Sequence, residues 1–160
     1  MMSAHVHQHA HTGLSSDPRA MRLVEFYELL TPQTLHTLSN VYSADAHFID
    51  PFNDVHGHAA VLQVFVHMFA TLDAPRFIVS TSVAEGDECF LLWDFTFRRQ
   101  GHAQTMSVHG ATHARFAPDG RVSYHRDYWD PARQIYEGLP ILGSVLRWLR
   151  RRLSATPSKR

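Results

Sequence analysis

Two aspartates sit where a carboxyl group is hard to explain as surface decoration. Asp94 interrupts Leu91-Leu-Trp-Asp-Phe95, and Asp127 falls within His125-Arg-Asp-Tyr-Trp129. A charge inside an apolar strand face is costly unless it is hydrogen-bonded or wet. A polar cavity would explain both positions, and so would a buried hydrogen-bond anchor. Strand alternation puts Ser123, His125, Asp127 and Trp129 on one face, where an imidazole beside a carboxyl can serve as acid or base. The other reactive types are less organised. His5, His7, His9 and His11 alternate near the N-terminus and can chelate a transition metal only opportunistically, with no second shell to fix them. His56, His58, His67, His109 and His113 show no three-ligand spacing, so neither a metal site nor a cofactor is expected. Cys89 has no basic neighbour to favour a thiolate and reads as packing.

The elements that must position these groups are readable in outline. Residues 1–16 lack apolar periodicity and read as a disordered, His-rich tail. Asp17-Pro18 has the form of an N-cap followed by proline at the first helical position, and Leu23, Val24, Phe26, Tyr27 and Leu30 follow at helical spacing. Thr31-Pro32 repeats that punctuation and predicts a second helix to Val41. Asp45–Pro51 reads as a short extended piece, because proline biases Asp50 away from helical angles. After Gly57, Val61, Phe65, Met68, Phe69 and Leu72 predict a third helix. From Pro75 the period changes to strands over 76–84, 89–98, 105–116 and 121–130, with turns at Glu85-Gly-Asp87, Gln100-Gly101 and Pro118-Asp-Gly120. Helices followed by an antiparallel meander define an α+β fold, a curved sheet covered on one face. The other face is partly apolar and suits a partner subunit.

The 160 residues, 44% of them hydrophobic, suit a single packed domain, and one cysteine excludes an internal disulfide. With no secretory-type leader, the expected location is cytoplasmic. Fifteen basic residues balance fifteen acidic ones, but six of the basic residues fall from Arg147 onward, leaving nine against fifteen in the rest. That distribution argues against nucleic-acid binding. Over 141–160, Ile141, Leu142, Val145, Leu146, Leu149 and Leu153 form a stripe opposite Arg147, Arg150, Arg151 and Arg152. This basic amphipathic helix could touch a membrane surface; packing on the domain or on a partner is the favoured reading.

The stretch Tyr42-Ser-Ala-Asp-Ala-His-Phe-Ile-Asp50-Pro51-Phe52, with Gly57 and the helix after it, resembles the nuclear transport factor 2-like superfamily. That group takes in ketosteroid isomerases, SnoaL-like polyketide cyclases, limonene epoxide hydrolase and non-catalytic binding domains. The resemblance implies a cone-shaped, cystatin-like roll over 17–140 enclosing a cavity for a small hydrophobic ligand, and a homodimer. It implies Asp50 as a general base, Tyr27 and Thr112 as hydrogen-bond donors to an enolate oxygen, and Phe52 and Trp129 as cavity walls. Asp50 before Pro51 equally suits a turn-forming Asx residue, and Tyr27 a core position. The segment His125–Asp130 is also similar to the last strand of limonene epoxide hydrolase, which would make Asp127 and Asp94 a water-activating pair; Leu92 stands where that family has a bridging arginine. Three functions follow as expectations: isomerase- or cyclase-type proton transfer next to a carbonyl, ligand binding without catalysis, or hydrolysis.

Overall fold

Asp17 adopts extended angles (φ −63°, ψ 121°) and accepts the Arg19 backbone N–H at 2.8 Å, opening helix α1 (Pro18–Glu28). Its stripe of Ala20, Leu23, Val24, Phe26 and Tyr27 is buried. Arg19 ties this helix to the sheet, with its guanidinium 2.7 Å from Asp87 and 4.7 Å above the Phe116 ring. The structure is a computed structural model that describes residues 13–131 and Trp148. The histidines of segment 1–12 and the helix expected over 141–160 lie outside the described residues, Trp148 apart. The last part of the expected tail is not loose. Ser15 N–H donates to Ser82 Oγ at 2.8 Å and Gly13 C=O accepts from Ser82 N–H at 3.0 Å.

Thr31-Pro32 does not open a long helix. The Thr31 and Thr34 hydroxyls accept each other's backbone N–H groups at 3.2 and 2.8 Å, and this side-chain bonding competes with helical turns. A 3-10 turn (Leu35–Thr37) and a single-turn helix α2 (Leu38–Val41) follow instead. Strand β1 (Tyr42–Ile49) then turns into β2 (Asp54–His56), a strand the sequence pattern does not announce. Helix α3 (His58–Thr71) leads directly into β3 (Leu72–Glu85), β4 (Glu88–Arg99), β5 (Thr105–Phe116) and β6 (Val122–Tyr128).

The six strands form one curved sheet in the order β2-β1-β6-β5-β4-β3. The expected antiparallel arrangement holds for every pair except β1 and β6, which run parallel. Helix α3 carries the chain from the β1–β2 edge across to β3, so the returning meander brings β6 alongside β1. Bulges between Asp73 and Arg76 and between Val79 and Thr81 interrupt β3, and such irregularities bend a strand. Antiparallel register then sorts the side chains. Leu91 pairs with Thr112 and Thr112 with Asp127, while Trp93 pairs with Gly110. These residues share the face covered by α1 and α3. A Cβ on Gly110 would lie 2.3 Å from the Trp93 ring, so only glycine lets the indole lie flat across β5.

Candidate functional site

A cavity of about 370 Å³ opens between α3 and the covered face of the sheet, walled mainly by Phe48, Phe65, Phe77, Trp93, Phe95 and Phe97. That volume falls in the range of small-molecule sites. The polar residues on its lining are few: Tyr27, Asp50, Asn53, His67, Thr71, Arg99 and Asp127.

At one wall the polar groups form a continuous network. Trp93 Nε1–H donates to Thr112 Oγ1 at 2.8 Å, and Thr112 O–H donates to Asp127 Oδ1 at 2.5 Å. His125 Nε2 lies 2.9 Å from the same oxygen and 3.1 Å from Tyr27 Oη, while Nδ1 lies 3.1 Å from Tyr42 Oη. Both His125 and Thr112 are fully buried, and the Asp127 side chain is 10% exposed. One set of proton positions fits these contacts. In it Tyr42 donates to Nδ1, Nε2–H is shared between Asp127 Oδ1 and Tyr27 Oη, and the Tyr27 O–H is left to donate to Tyr42 Oη at 3.3 Å or to a ligand. Burial lifts the Tyr27 phenol well above its ordinary value, helped by the nearby Tyr42 and Asp127, so it stays a neutral donor. Burial likewise lifts Tyr42. The His125 ring is held between Phe48, stacked at 4.5 Å, and Tyr27. Among the described residues, the side-chain hydrogen bonds to Asp127 fall on Oδ1.

Asp50 also lines the cavity, but it is organised differently. Its Oδ1 accepts the Phe52 and Asn53 backbone N–H groups, both at 2.7 Å, and Asn53 Nδ2–H reaches its two oxygens at 3.1 and 2.9 Å. This is an Asx turn built at the cavity rim. Phe52 and Trp129 stand beside it with ring centroids 5.5 Å apart, and both are on the cavity lining.

Asp94 lies on the opposite face of the sheet. It pairs across the strands with His109, whose Nδ1 is 2.9 Å away, and its side chain is 48% exposed. The reading that joined Asp94 to Asp127 is corrected on this point. Residues 91, 93, 95 and 97 take the cavity face of β4, and alternation sends position 94 outward. Thr112 is present, but as a donor to Asp127 rather than on the cavity lining. Cys89 is buried and its thiol is pushed up to about 11 by burial, as suits a packing residue. Tyr42, Trp93, Asn53 and Arg99 were missed by sequence reasoning. Inward alternation with Phe95 and Phe97 could have found Trp93 and Arg99. Nothing local marks Tyr42.

The SnoaL-like domain model matches residues 23–125. The chain belongs to the SnoaL-like domain family. No curated protein matches it significantly in sequence, whereas many solved structures share its fold. A hypothetical protein with a ketosteroid isomerase-like fold from Catenulispora acidiphila, in complex with trimethylamine, is 14% identical at a TM-score of 0.67, covering 79% of this chain and 96% of its own. An NTF2-like protein of unknown function from Burkholderia pseudomallei is 18% identical at 0.65, covering 73% of this chain and 94% of its own. An LEH-like epoxide hydrolase from M. tuberculosis is 18% identical at 0.62, with 82% and 96% covered. At such identities the likeness is one of fold, and the SnoaL-like domain here must be read from its own cavity.

Proposed function

We propose that this SnoaL-like domain binds a small, largely apolar molecule and moves a proton at a carbon next to its carbonyl group, with Asp127 as the proton-transfer residue. The observation that carries the reading is the pairing, at one cavity wall, of a carboxyl group anchored through a single oxygen with a neutral phenol donor. Asp127 Oδ2 would take the proton while Tyr27 O–H donates to the developing enolate oxygen. His125 and Thr112 position Asp127 through Oδ1. This reading shifts the base from Asp50, both of whose oxygens accept hydrogen bonds within its own turn. Asp50, Phe52 and Asn53 then act as the rim that shapes the ligand. The hydrolase alternative loses support, because Asp94 is remote from the cavity face and Leu92 supplies no bridging cation.

The direct test is deuterium uptake from heavy water into a panel of mono- and bicyclic ketones such as cyclohex-3-enone and 2-tetralone, followed by NMR. Uptake dependent on the protein supports proton transfer. If the ketones bind in the cavity but none exchanges, the domain is a binding module.

We also propose a homodimer through the outer face of the sheet. Support comes from the exposed Ile78, Val83, Phe90, Leu92 and Tyr128, since apolar side chains gathered on one face mark an interaction surface.

A further inference from the structure

The β1–β2 hairpin carries a second group of ligating side chains, on the face away from the cavity. Register sets His47 opposite His56 and Ile49 opposite Asp54. The His47 and His56 rings stack with centroids 3.8 Å apart, and His47 Nε2 lies 2.7 Å from Asp54 Oδ1. One ligand atom from each of the three residues lies within 4.8 Å of the other two. His47 is half-buried, its ring edge-on to Tyr124 at 5.7 Å, while Asp54 and His56 are exposed.

Donor atoms about 2 Å from a shared ion stand no more than roughly 4 Å apart. Small rotations of the two exposed side chains would close the triangle, and His47 is already held by its packing. Two imidazoles and one carboxylate suit zinc and its transition-metal neighbours, whereas magnesium and calcium prefer all-oxygen sets. We propose that His47, Asp54 and His56 form a zinc-class metal site that clamps the β1–β2 hairpin. Its consequence reaches the cavity, because the turn joining the two strands holds Asp50, Phe52 and Asn53 on the rim. An ion bridging β1 to β2 would stabilise that rim from outside while touching no cavity residue.

The N-terminal histidines would also take up zinc, so the test uses the full chain with His5, His7, His9 and His11 all replaced by Gln. After chelator treatment this protein is titrated with zinc by calorimetry, beside the same protein carrying His56→Gln or Asp54→Asn. The expected result is one zinc per chain, with each further substitution weakening binding at least about tenfold. The midpoint of thermal unfolding should rise with zinc in the first protein and much less in the other two, while magnesium raises none of them. Both substitutions are at exposed positions, and circular dichroism checks that the variants fold. Zinc affinity indifferent to both substitutions, or no binding by the first protein, would overturn the site.

Discussion

Two cavity carboxyl groups separated by their hydrogen bonds make different predictions at the residue scale. Asp50 supports a turn, so Asp50→Ala should loosen the rim and weaken ligand binding more than it slows any chemical step. Tyr27→Phe removes the hydroxyl proton proposed to meet the enolate oxygen. It should lower the exchange rate about a hundredfold or more with little change in ketone affinity, measured as separate rate and binding constants. Because Tyr27 and Tyr42 are protonated and lifted by burial, their contribution to stability is complete below about pH 10, the ordinary tyrosine value. It is lost as pH rises through their folded-state values. Alkaline unfolding should therefore begin earlier in the wild-type protein than in a Tyr27→Phe, Tyr42→Phe double variant, as followed by circular dichroism. Alternation alone was enough to read His125, Asp127 and Trp129 as one face. It could not tell which face of β4 the helices cover, which is why Asp94 was joined to the wrong side. Thr112 was expected to donate to an enolate oxygen, but it donates to Asp127, an acceptor set by β5–β6 register, which no local pattern shows.

Helix α1 and the β4–β5 pair carry the predictions at the scale of elements. The Asp17 cap was legible because Asp-Pro has a local meaning, and Asp17→Ala should cost about 1 kcal/mol in denaturant unfolding. The Arg19 guanidinium beside Asp17 holds that carboxyl down at about 2. Its stabilising contribution is thus fully present above the ordinary aspartate value near 4 and is lost as pH falls toward 2. His113 and Arg115 similarly hold the Glu88 carboxyl low across the β4–β5 ladder. Gly110→Ala should push Trp93 out of its place, cost about 1–3 kcal/mol and shift the tryptophan emission, because the indole forms part of the cavity wall. Strand β2 escaped notice for a physical reason. Its three residues, Asp54, Val55 and His56, are too few and too polar to show alternation, and only pairing with β1 makes them a strand. The same pairing brings His47 and His56 together across nine positions of sequence, beyond any ligand spacing a motif would reveal.

At the scale of the whole molecule, the α+β order of elements was visible from the change of hydrophobic period near Pro75, but the parallel β1–β6 contact was not, since it joins segments some eighty residues apart. That contact joins β1 and β2 to the meander in one curved sheet and brings Asp127 and Asp50 to one lining. Among the described residues no helix is long and apolar enough to cross a membrane. The proposed dimer should show twice the chain mass in light scattering, and Leu92→Glu should return it to one chain without unfolding it. Proton transfer at Asp127 is tested most directly by the rate of ketone deuterium exchange in Asp127→Asn beside Asp50→Asn, with binding measured in each. The expected result is a loss of at least about a hundredfold in Asp127→Asn at nearly unchanged ketone affinity, and a much smaller change in rate for Asp50→Asn. Exchange that survives in Asp127→Asn and collapses in Asp50→Asn would contradict the assignment and return the base to the rim.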